Sequence, residues 1–427
     1  MILTPEQRAI GRRNFLKALA GTPALATLGA AAAMRGPVRG GPVRLGLIGA
    51  GGQGRALLAA VNPAFADVRA LCDINPASLE RADAALVKRK AKPIRHYVEW
   101  RDMLEYEDLE AVIVAVPLWA HADVVVPCLE AGKHVLCEKM MAWDVAGCDR
   151  MKGAAERSGR VLEIGYHRYY SAVYQAAHEG VLRRGVLGDV HHARFAWHRN
   201  GNWRRAGQPP SPDYDPSRWG YPTFEHLWNW RLYTKYSKGL FAELGSHHVN
   251  AANWFLDSTP RAVLASGSLD RFKDGREAHD HVYAIFEYPN GVTATFSSIE
   301  SNAFEQHYEA FYGTRATLIM YNESEALLFD EGSSGASTSV EVSATAGGAA
   351  IEASETKTPI APRASTLAAA ASSGADRSPA LEEEISRFCA AIRVGQPVAC
   401  GPDRASHSAR ACIAATEAAT TRTRVTI

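Results

Sequence analysis

The sequence predicts an α/β protein: a doubly wound parallel sheet, then an α+β domain with a large, mostly antiparallel open sheet. Two observations predict this order. In the first part of the chain, short apolar runs alternate with helix-like segments, which is typical of a parallel sheet. After Val190 the pattern changes to period-two alternation, as in residues 192–197 and 292–296, which is typical of half-buried antiparallel strands.

The bulk composition excludes several classes of protein. The chain has 427 residues, 47% of them hydrophobic and 22% charged, and this predicts a globular protein of two domains. The formal net charge of +1 offers no basic field for nucleic acid or an anionic membrane. No run approaches the ~20 apolar residues of a membrane span. The seven cysteines lack repeated CxxC spacing, so neither a disulfide scaffold nor a zinc ribbon is predicted.

Residues 1–33 have the pattern of an export signal. Arg12 and Arg13 precede Asn-Phe-Leu-Lys, and a small, weakly apolar run follows to Ala33. This is typical of a twin-arginine signal with an AxA-like cleavage site at residues 31–33, although an ordinary amphipathic helix is the alternative. We therefore expect a periplasmic or otherwise extracytoplasmic protein that is exported in its folded state.

A glycine-rich turn follows the first apolar run of the mature chain. Residues 43–48 lead into Gly49-Ala50-Gly51-Gly52-Gln53-Gly54, a GxGxxG pattern between a strand and a helix. Gly49 permits the tight turn, Gly51 lets the backbone approach a pyrophosphate, and Gly54 allows the helix to pack closely on the strand. We predict a Rossmann domain over residues 34–165, with Gly49, Gly51, Gln53 and Gly54 at its dinucleotide site.

The second predicted strand ends at an acidic residue, Asp73, which lies 24 residues after Gly49. A carboxylate there can accept hydrogen bonds from the ribose hydroxyls of NAD and would repel the 2′-phosphate of NADP. We therefore expect NAD, with NADP as the alternative. The alternative is a purely structural role, in which Asp73 caps a turn or helix before Asn75 and Pro76.

Two further strand ends carry polar residues. One predicted strand is followed by Pro117 and His121, and the next runs into Glu138 and Lys139. Ligands of doubly wound sheets bind beyond the carboxyl ends of the strands. We therefore predict that these four residues line the cofactor crevice together with Asp73.

From Cys137-Glu138-Lys139 onward the chain resembles the Gfo/Idh/MocA family of oxidoreductases. The family usually has Glu-Lys-Pro here, whereas this sequence has Met140 in place of proline. The resemblance continues through residues 165–168 and 185–189 and ends at residues 239–248. There the family typically has Asp-x-x-x-His lining the substrate site, and this chain has Glu243 and His247. The resemblance implies an NAD(P)-dependent enzyme with a sugar-like substrate.

Three residues form the predicted catalytic set. Oxidation of a secondary alcohol needs a base, and we assign this role to His247 because its ordinary pKa lies near neutral pH. Glu243 could orient that imidazole or bind a substrate hydroxyl, and Lys139 could polarise the reacting oxygen. A metal site at Glu243, His247 and His248 is not expected, because the usual metal spacings are absent.

The substrate domain is expected over residues 166–380. Tryptophan and tyrosine recur between residues 197 and 236, where they suit a sugar ring or simply pack an interface. The candidate substrate residues are Tyr166, His167, Arg168, Trp230 and His248. A long loop at residues 207–224 is expected to cover the site.

The composition of the C-terminal part predicts an insertion and two helices. Residues 331–380 are rich in serine, alanine, glycine and threonine, which is typical of a loosely ordered insertion. Residues 381–427 are expected to form helices that return to the cofactor domain. The resemblance also implies a homo-oligomer, a dimer or tetramer, that assembles through the open sheet.

The sequence supports three hypotheses for function. The first is a periplasmic dehydrogenase that transfers a hydride from a sugar, cyclitol or glycoside to NAD. The second is a glycoside hydrolase of the same fold in which NAD is used and regenerated within each turnover. The third is a non-catalytic sugar-binding or nucleotide-sensing protein, against which the retained Lys139, Glu243 and His247 argue.

Overall fold

The computed structural model describes residues 3–20, 22–23, 40–87, 94–105, 108–331, 342–345, 348–351 and 378–427. Within these ranges the helices are α1 (Pro5–Leu19), α2 (Gly52–Ala60), α3 (Pro76–Val87), α4 (Trp100–Leu104), α5 (His121–Glu130), α6 (Val145–Ser158), α7 (Ala172–Ala177), α8 (Phe224–Trp228), α9 (Ser246–Phe255), α10 (Pro379–Val394) and α11 (Pro402–Thr421).

Six strands of the first domain form a parallel sheet. They are β1 (Val43–Ile48), β2 (Ala66–Cys72), β3 (Arg95–Tyr97), β4 (Ala111–Val114), β5 (His134–Glu138) and β6 (Leu162–Gly165). Their order is β3-β2-β1-β4-β5-β6, so the strand order reverses between β1 and β4. In doubly wound sheets a ligand crevice opens at this reversal, beyond the carboxyl ends of the strands. The predicted doubly wound sheet is confirmed.

The second domain contains a mixed, mostly antiparallel sheet of eight strands. Seven of them precede residue 331: β7 (Val190–His198), β8 (Ala262–Ser268), β9 (His281–Glu287), β10 (Thr293–Ile299), β11 (His307–Gly313), β12 (Ala316–Tyr321) and β13 (Glu325–Asp330). A separate hairpin of β14 (Val342–Thr345) and β15 (Gly348–Ile351) lies within the predicted insertion 331–380, most of which is outside the described residues. The eighth strand is β16 (Val425–Thr426).

The order of the second sheet is β13-β12-β11-β7-β10-β9-β8-β16, with only the β7–β10 pair parallel. Its inner face buries large side chains such as Phe195, Phe296 and Phe311. Helix α9 lies against this face, since His248 stacks on Phe195 with ring centroids 5.7 Å apart. The sheet therefore supports the helix that carries the predicted catalytic pair.

A long segment, residues 199–237, leaves the sheet after β7 and returns before the Glu243 motif. We call it the covering segment. Its contacts with the cofactor domain include three hydrogen bonds from aromatic residues. The Tyr214 hydroxyl donates to the Ile74 carbonyl (3.0 Å), the Trp219 indole donates to Glu99 (3.2 Å), and the Trp119 indole donates to the Tyr221 hydroxyl (2.8 Å). The predicted loop 207–224 thus lies over the carboxyl ends of the parallel strands.

The two C-terminal helices pack on both domains. Leu381, Ile385 and Phe388 of α10 join the hydrophobic core formed by β1 and α2, and the Arg393 guanidinium pairs with Glu110 (2.6 Å). Helix α11 packs on α6 and β8. This burial of apolar side chains fixes the relative position of the elements around the crevice.

Helix α1 lies inside the predicted signal region 1–33 and packs against the edge strand β13. Phe15 and Leu19 are buried, and Arg12 forms an ion pair with Glu325 (3.0 Å). Residues 24–33, which contain the predicted cleavage site, are outside the described residues. Among the described residues, no helix is both long and apolar enough to cross a membrane.

Candidate functional site

The turn between β1 and α2 has the geometry of a pyrophosphate site. Gly49 has φ = +97°, and a Cβ there would lie 2.5 Å from the Ala115 carbonyl oxygen. A Cβ on Gly54 would lie 1.9 Å from the Gly49 carbonyl oxygen, whereas around Gly51 there is open space. No side chain caps the N-terminus of α2, so its first N–H groups and positive dipole are available to phosphate oxygens. The three glycines therefore fit a dinucleotide.

Asp73 lies beside this turn, at the end of β2. Its carboxylate accepts hydrogen bonds from the backbone N–H groups of Ala50 (2.7 Å) and Asn75 (2.7 Å). Burial raises the pKa of Asp73 to about 6, although these hydrogen bonds and two nearby arginines oppose the rise. The carboxylate therefore does cap its turn. Each oxygen can accept a second hydrogen bond, so the ribose-binding role remains open to it.

Gln53 and Glu138 are brought together across the crevice. The Gln53 amide donates to a Glu138 carboxylate oxygen (2.7 Å), and the other Glu138 oxygen accepts from the Lys139 backbone N–H (3.1 Å). This contact ties the start of α2 to the end of β5. Burial raises the pKa of Glu138, against the opposing charge of Lys139 and the hydrogen bond from Gln53.

Pro117 and His121 follow strand β4. Pro117 immediately precedes a short turn of helix, residues 118–120. His121 is buried, with its two ring nitrogens 2.9 Å from the Met140 carbonyl oxygen and 3.1 Å from the Val116 carbonyl oxygen. Its side chain thus connects the backbone after β4, at Val116, to the backbone after β5, at Met140.

Lys139 meets the Glu243 motif directly. Its ammonium group donates to the Glu243 backbone carbonyl (2.8 Å), which joins the end of β5 to the turn before α9. That turn, residues 241–245, is a single π-helical turn, and such turns occur frequently at functional sites. Burial lowers the pKa of Lys139, while the charges of Glu243 and Glu138 oppose this.

The Glu243 carboxylate is held by residues that precede it in the chain. It accepts from the Arg231 guanidinium (2.8 Å) and from the Ser237 hydroxyl (3.1 Å). Burial by itself would raise the pKa of Glu243, but Arg231 and Lys139 outweigh it and keep the group below its ordinary value. The described partners of this carboxylate do not include His247, so its contacts favour a role in binding a substrate hydroxyl over orienting the imidazole.

His247 is buried among aromatic rings at the same site. The ring centroids of Trp197, His167 and Tyr166 lie 5.7, 5.5 and 6.2 Å from its own. Burial, followed by the charge of Lys139, lowers its pKa well below the ordinary value. Its Nδ1 atom is buried and has no hydrogen-bond partner among the described residues. The imidazole is therefore neutral near pH 7 and able to accept a proton.

The other candidate substrate residues after β6 and on α9 either contact His247 or belong to an ionic network that holds its surroundings in place. Tyr166 and His167 lie against His247. His167 also reaches Glu323 (3.6 Å), a member of the buried ionic network that contains Arg168 and His248. Arg168 pairs with Glu309 and, at 2.8 Å, with Glu323. His248 is fully buried against Glu309. Glu309 therefore ties the loop after β6 and helix α9 to strand β11.

Trp230 and Arg231 reach the site from the covering segment. The Arg231 guanidinium lies 4.3 Å from the centre of the Trp230 ring, which is partly buried against the main core. The aromatic residues predicted between 197 and 236 thus have two roles. Tyr221, Tyr233 and Tyr236 form a small hydrophobic cluster of the covering segment, and Trp230 packs against this cluster while also lying beside Arg231 of the charged site.

Several contacts of the site residues have no signal in the sequence motifs. Ser237 and the Arg231–Glu243 pair follow no motif. Glu309 and Glu323 are far from Arg168 in the chain and are brought to it by strand pairing. The signal for Glu309 was a carboxylate within the otherwise apolar and aromatic segment 308–312, because a buried charge of this kind needs a partner.

Two family profiles match the chain. The profile described as oxidoreductase family, NAD-binding Rossmann fold, matches residues 43–166, and the GFO/IDH/MocA C-terminal domain profile matches residues 174–319. Together they span more than half of the chain. The cofactor domain is therefore an NAD-binding Rossmann domain, in agreement with the glycine-rich turn.

Curated relatives match mainly over part of the chain. A glycosyl hydrolase family 109 protein from Phocaeicola vulgatus is 30% identical over 159 residues, 36% of this chain and 38% of that protein. An inositol 2-dehydrogenase from Salmonella typhimurium is 37% identical over 123 residues, 29% of this chain and 35% of that protein. The chain thus spans little more than a third of the length of these two relatives.

Solved structures share the fold along nearly the whole chain. The WlbA dehydrogenase from Bordetella pertussis, in complex with NADH and UDP-GlcNAcA, has a TM-score of 0.66 at 17% identity. A levoglucosan dehydrogenase in complex with NADH and levoglucosan has the same TM-score and identity. Each match covers 90% of this chain and 99% of the other. At this identity the similarity establishes the fold alone.

Proposed function

Because this chain belongs to the GFO/IDH/MocA oxidoreductase family, we propose that it transfers a hydride between a hydroxyl of a sugar, cyclitol or glycoside and a nicotinamide cofactor. One observation carries the proposal: Lys139, Glu243 and His247 converge beyond the carboxyl end of β5 in an NAD-binding domain. The match to an inositol 2-dehydrogenase supports a polyhydroxylated substrate.

The residues divide the chemistry between them. NAD, when bound, supplies the acceptor for the hydride. The neutral His247 accepts the hydroxyl proton while the carbinol C–H bond breaks. Lys139 donates a hydrogen bond to the same oxygen, which stabilises the negative charge that develops on it. Glu243, kept ionised by Arg231 and Ser237, accepts a hydrogen bond from a neighbouring hydroxyl and so fixes the ring.

We infer that NAD is preferred to NADP. The Asp73 carboxylate lies beside the glycine-rich turn, where it can accept from ribose hydroxyls and repel a 2′-phosphate. Arg55 and Arg81 lower the pKa of Asp73 against the effect of burial, which favours the charged carboxylate. Titration of the purified protein with NADH and NADPH, followed by nucleotide fluorescence, measures the preference directly.

The proposed activity is tested by absorbance. Purified protein is mixed with candidate sugars, cyclitols and aryl glycosides, and absorbance is followed near ~340 nm. A lasting rise that is stoichiometric with oxidised product supports net hydride transfer. Failure of the protein to bind NAD or NADP at all would contradict every enzymatic hypothesis.

The second candidate is a glycoside hydrolase with the same site, and the similarity to the family 109 protein favours it. Oxidation of a ring hydroxyl acidifies the adjacent C–H, so a base can remove that proton as the aglycone leaves. Return of the hydride and addition of water then complete hydrolysis without net redox change. Release of aglycone with no lasting change in reduced nucleotide would select this candidate over the dehydrogenase.

We further propose that the protein is exported by the twin-arginine route. Arg12 and Arg13 precede Asn-Phe-Leu-Lys and a small, weakly apolar run, which is the pattern of such a signal. Replacing both by lysine should keep the protein in the cytoplasmic fraction of an expressing bacterium. Arg8→Lys, on the same helix, is the matched control and should leave export unchanged.

We also propose a homo-oligomer, a dimer or tetramer, that assembles through the outer face of the second sheet. Leu264, Tyr283 and Ile285 are apolar or aromatic side chains exposed on that face. Their strands β8 and β9 are neighbours, so the three side chains form a continuous patch.

A further inference from the structure

The covering segment carries an arginine next to the dinucleotide site of the other domain. A Cβ placed on Gly52, the first residue of α2, would lie 4.0 Å from Arg205 Nη1. Among the described residues, the Arg205 guanidinium has neither a hydrogen-bond acceptor nor a carboxylate partner. A groove of about 450 Å³ adjoins it and is lined by Asn202, Arg204, Gly207 and Glu225 as well.

The backbone of Arg205 is fixed although its side chain is unpaired. The buried Asn229 side chain accepts from the Arg205 N–H (2.7 Å) and donates to the Arg205 carbonyl (3.1 Å). The adjacent Arg204, in contrast, is engaged by Asp274 and Glu225. The segment therefore neutralises one arginine of the pair and holds the other in place without a counterion.

The surroundings of Arg205 are positively charged. Arg55, in helix α2, donates from its guanidinium to the Ala50 carbonyl of the glycine-rich turn (3.1 Å), and Arg231 donates to Glu243. The Arg205 guanidinium is exposed to solvent, and its charged neighbours are Arg231 and Arg55, which repel it, and Glu243, which attracts it. An anion placed between Arg205 and the start of α2 would relieve this repulsion.

We propose that Arg205 binds the cofactor pyrophosphate from the face opposite helix α2, so that the dinucleotide is held between the two domains. The inference rests on the proposed use of a nicotinamide dinucleotide at this turn. It adds a phosphate-binding residue from the substrate domain to the backbone N–H groups of the Rossmann domain.

Isothermal titration with two probes tests the assignment. ADP-ribose contains the pyrophosphate, whereas adenosine has no phosphate. Arg205→Gln should weaken ADP-ribose binding by about 10- to 100-fold, because a charge-assisted hydrogen bond to phosphate is lost. Adenosine affinity should stay at the wild-type value. Arg205→Lys should give an intermediate loss, since it keeps the charge without the planar fork.

Arg218→Gln is the matched control, because it removes one positive charge from the same segment. Arg218 pairs with Glu99 at the surface, so its loss should change ADP-ribose affinity less than about twofold. Asn229→Ala leaves Arg205 in the chain but frees its backbone, and a smaller loss of ADP-ribose affinity is expected.

Two results overturn the assignment. Wild-type ADP-ribose affinity in Arg205→Gln excludes a phosphate contact, and an equal loss of adenosine affinity shows that the variant disturbs the fold of the site instead. In both cases the wild-type protein still binds NAD, so the proposed function stands. If the wild-type protein binds neither NAD nor ADP-ribose, the proposed function itself fails.

Discussion

At the scale of single residues, burial sets the protonation state of His247. Because its folded-state pKa is lowered, the neutral base persists well below the ordinary histidine pKa. The rate should therefore fall only as the pH decreases through this lowered value. His247→Asn should reduce kcat/KM by about 10²- to 10⁴-fold and remove the acid limb. A pH–rate profile of both proteins measures this.

The exposed His191, on strand β7 away from the site, supplies the control for that experiment. His191→Asn should keep the wild-type profile. An acid limb that persists unchanged in His247→Asn would assign the titrating group to another residue and contradict the role of His247 as base.

Lys139 should determine the opposite limb of the same profile. Its ammonium form donates the hydrogen bond, and burial lowers its pKa. Activity should therefore decline as the pH rises through a value below the ordinary lysine pKa. Lys139→Met should reduce kcat by about 10²- to 10³-fold, as loss of an oxyanion donor does. Lys152→Met, at a partly exposed position on α6 where the lysine pairs with Asp403, should leave kcat unchanged. An alkaline limb retained in Lys139→Met would count against the role of Lys139.

Between elements, two buried carboxyl groups make stability depend on pH. Glu163 on β6 accepts from the Tyr170 hydroxyl, and Glu384 on α10 is buried with both oxygens unpaired among the described residues. Burial raises the pKa of Glu163 to about 8 and that of Glu384 well above its ordinary value. Both groups are therefore protonated in the folded protein at a pH where the unfolded chain has lost those protons.

The sign of the effect follows from proton binding. Between the unfolded-state pKa and about pH 8 the folded state binds more protons, so the free energy of unfolding should fall as the pH rises, by about 1.4 kcal/mol per pH unit for Glu163. Glu163→Gln should remove this slope and stabilise the protein near the upper end of the window. Urea unfolding at several pH values in this window measures the slope of the free energy of unfolding. Glu156→Gln, at an exposed position, is the control and should keep the wild-type slope. If Glu163→Gln also keeps the full slope, Glu163 is not its source.

The same elements show what the sequence could predict. Local sequence patterns were enough to predict the glycine-rich turn, because the glycine spacing between a strand and a helix follows from the places where a Cβ would clash. They also placed Lys139, Glu243 and His247 at one site through the family resemblance. They could not show that Glu243 pairs with Arg231 or that Glu309 anchors His248, because those contacts depend on how a loop and a distant strand pack.

At the scale of the whole molecule, the covering segment illustrates the same limit. The length of the loop at residues 207–224 predicted a cover over the site, and in the structure this loop lies over the carboxyl ends of the parallel strands. Its individual contacts to Ile74, Glu99 and Trp119 follow only from the mutual position of the two domains. The helices after residue 378 stabilise that position, since α10 completes the core of the Rossmann domain and α11 packs on the second sheet.

The outer face of the second sheet supports the last prediction, that copies of the protein associate through it as a dimer or tetramer. Leu264, Tyr283 and Ile285 are 41%, 48% and 45% exposed, and Leu264 pairs directly with Ile285 across β8 and β9. We expect this apolar patch to be an interaction surface, and in a twofold interface it would meet its own copy. A charge at Ile285 would then be introduced twice and would lose its water in the interface.

Ile285→Glu should therefore give monomers in light scattering after size exclusion. Val394→Glu, at a similarly exposed (54%) position on α10, should leave the mass unchanged. A wild-type monomer, or an Ile285→Glu protein that still dimerises, would show that copies do not meet at this face.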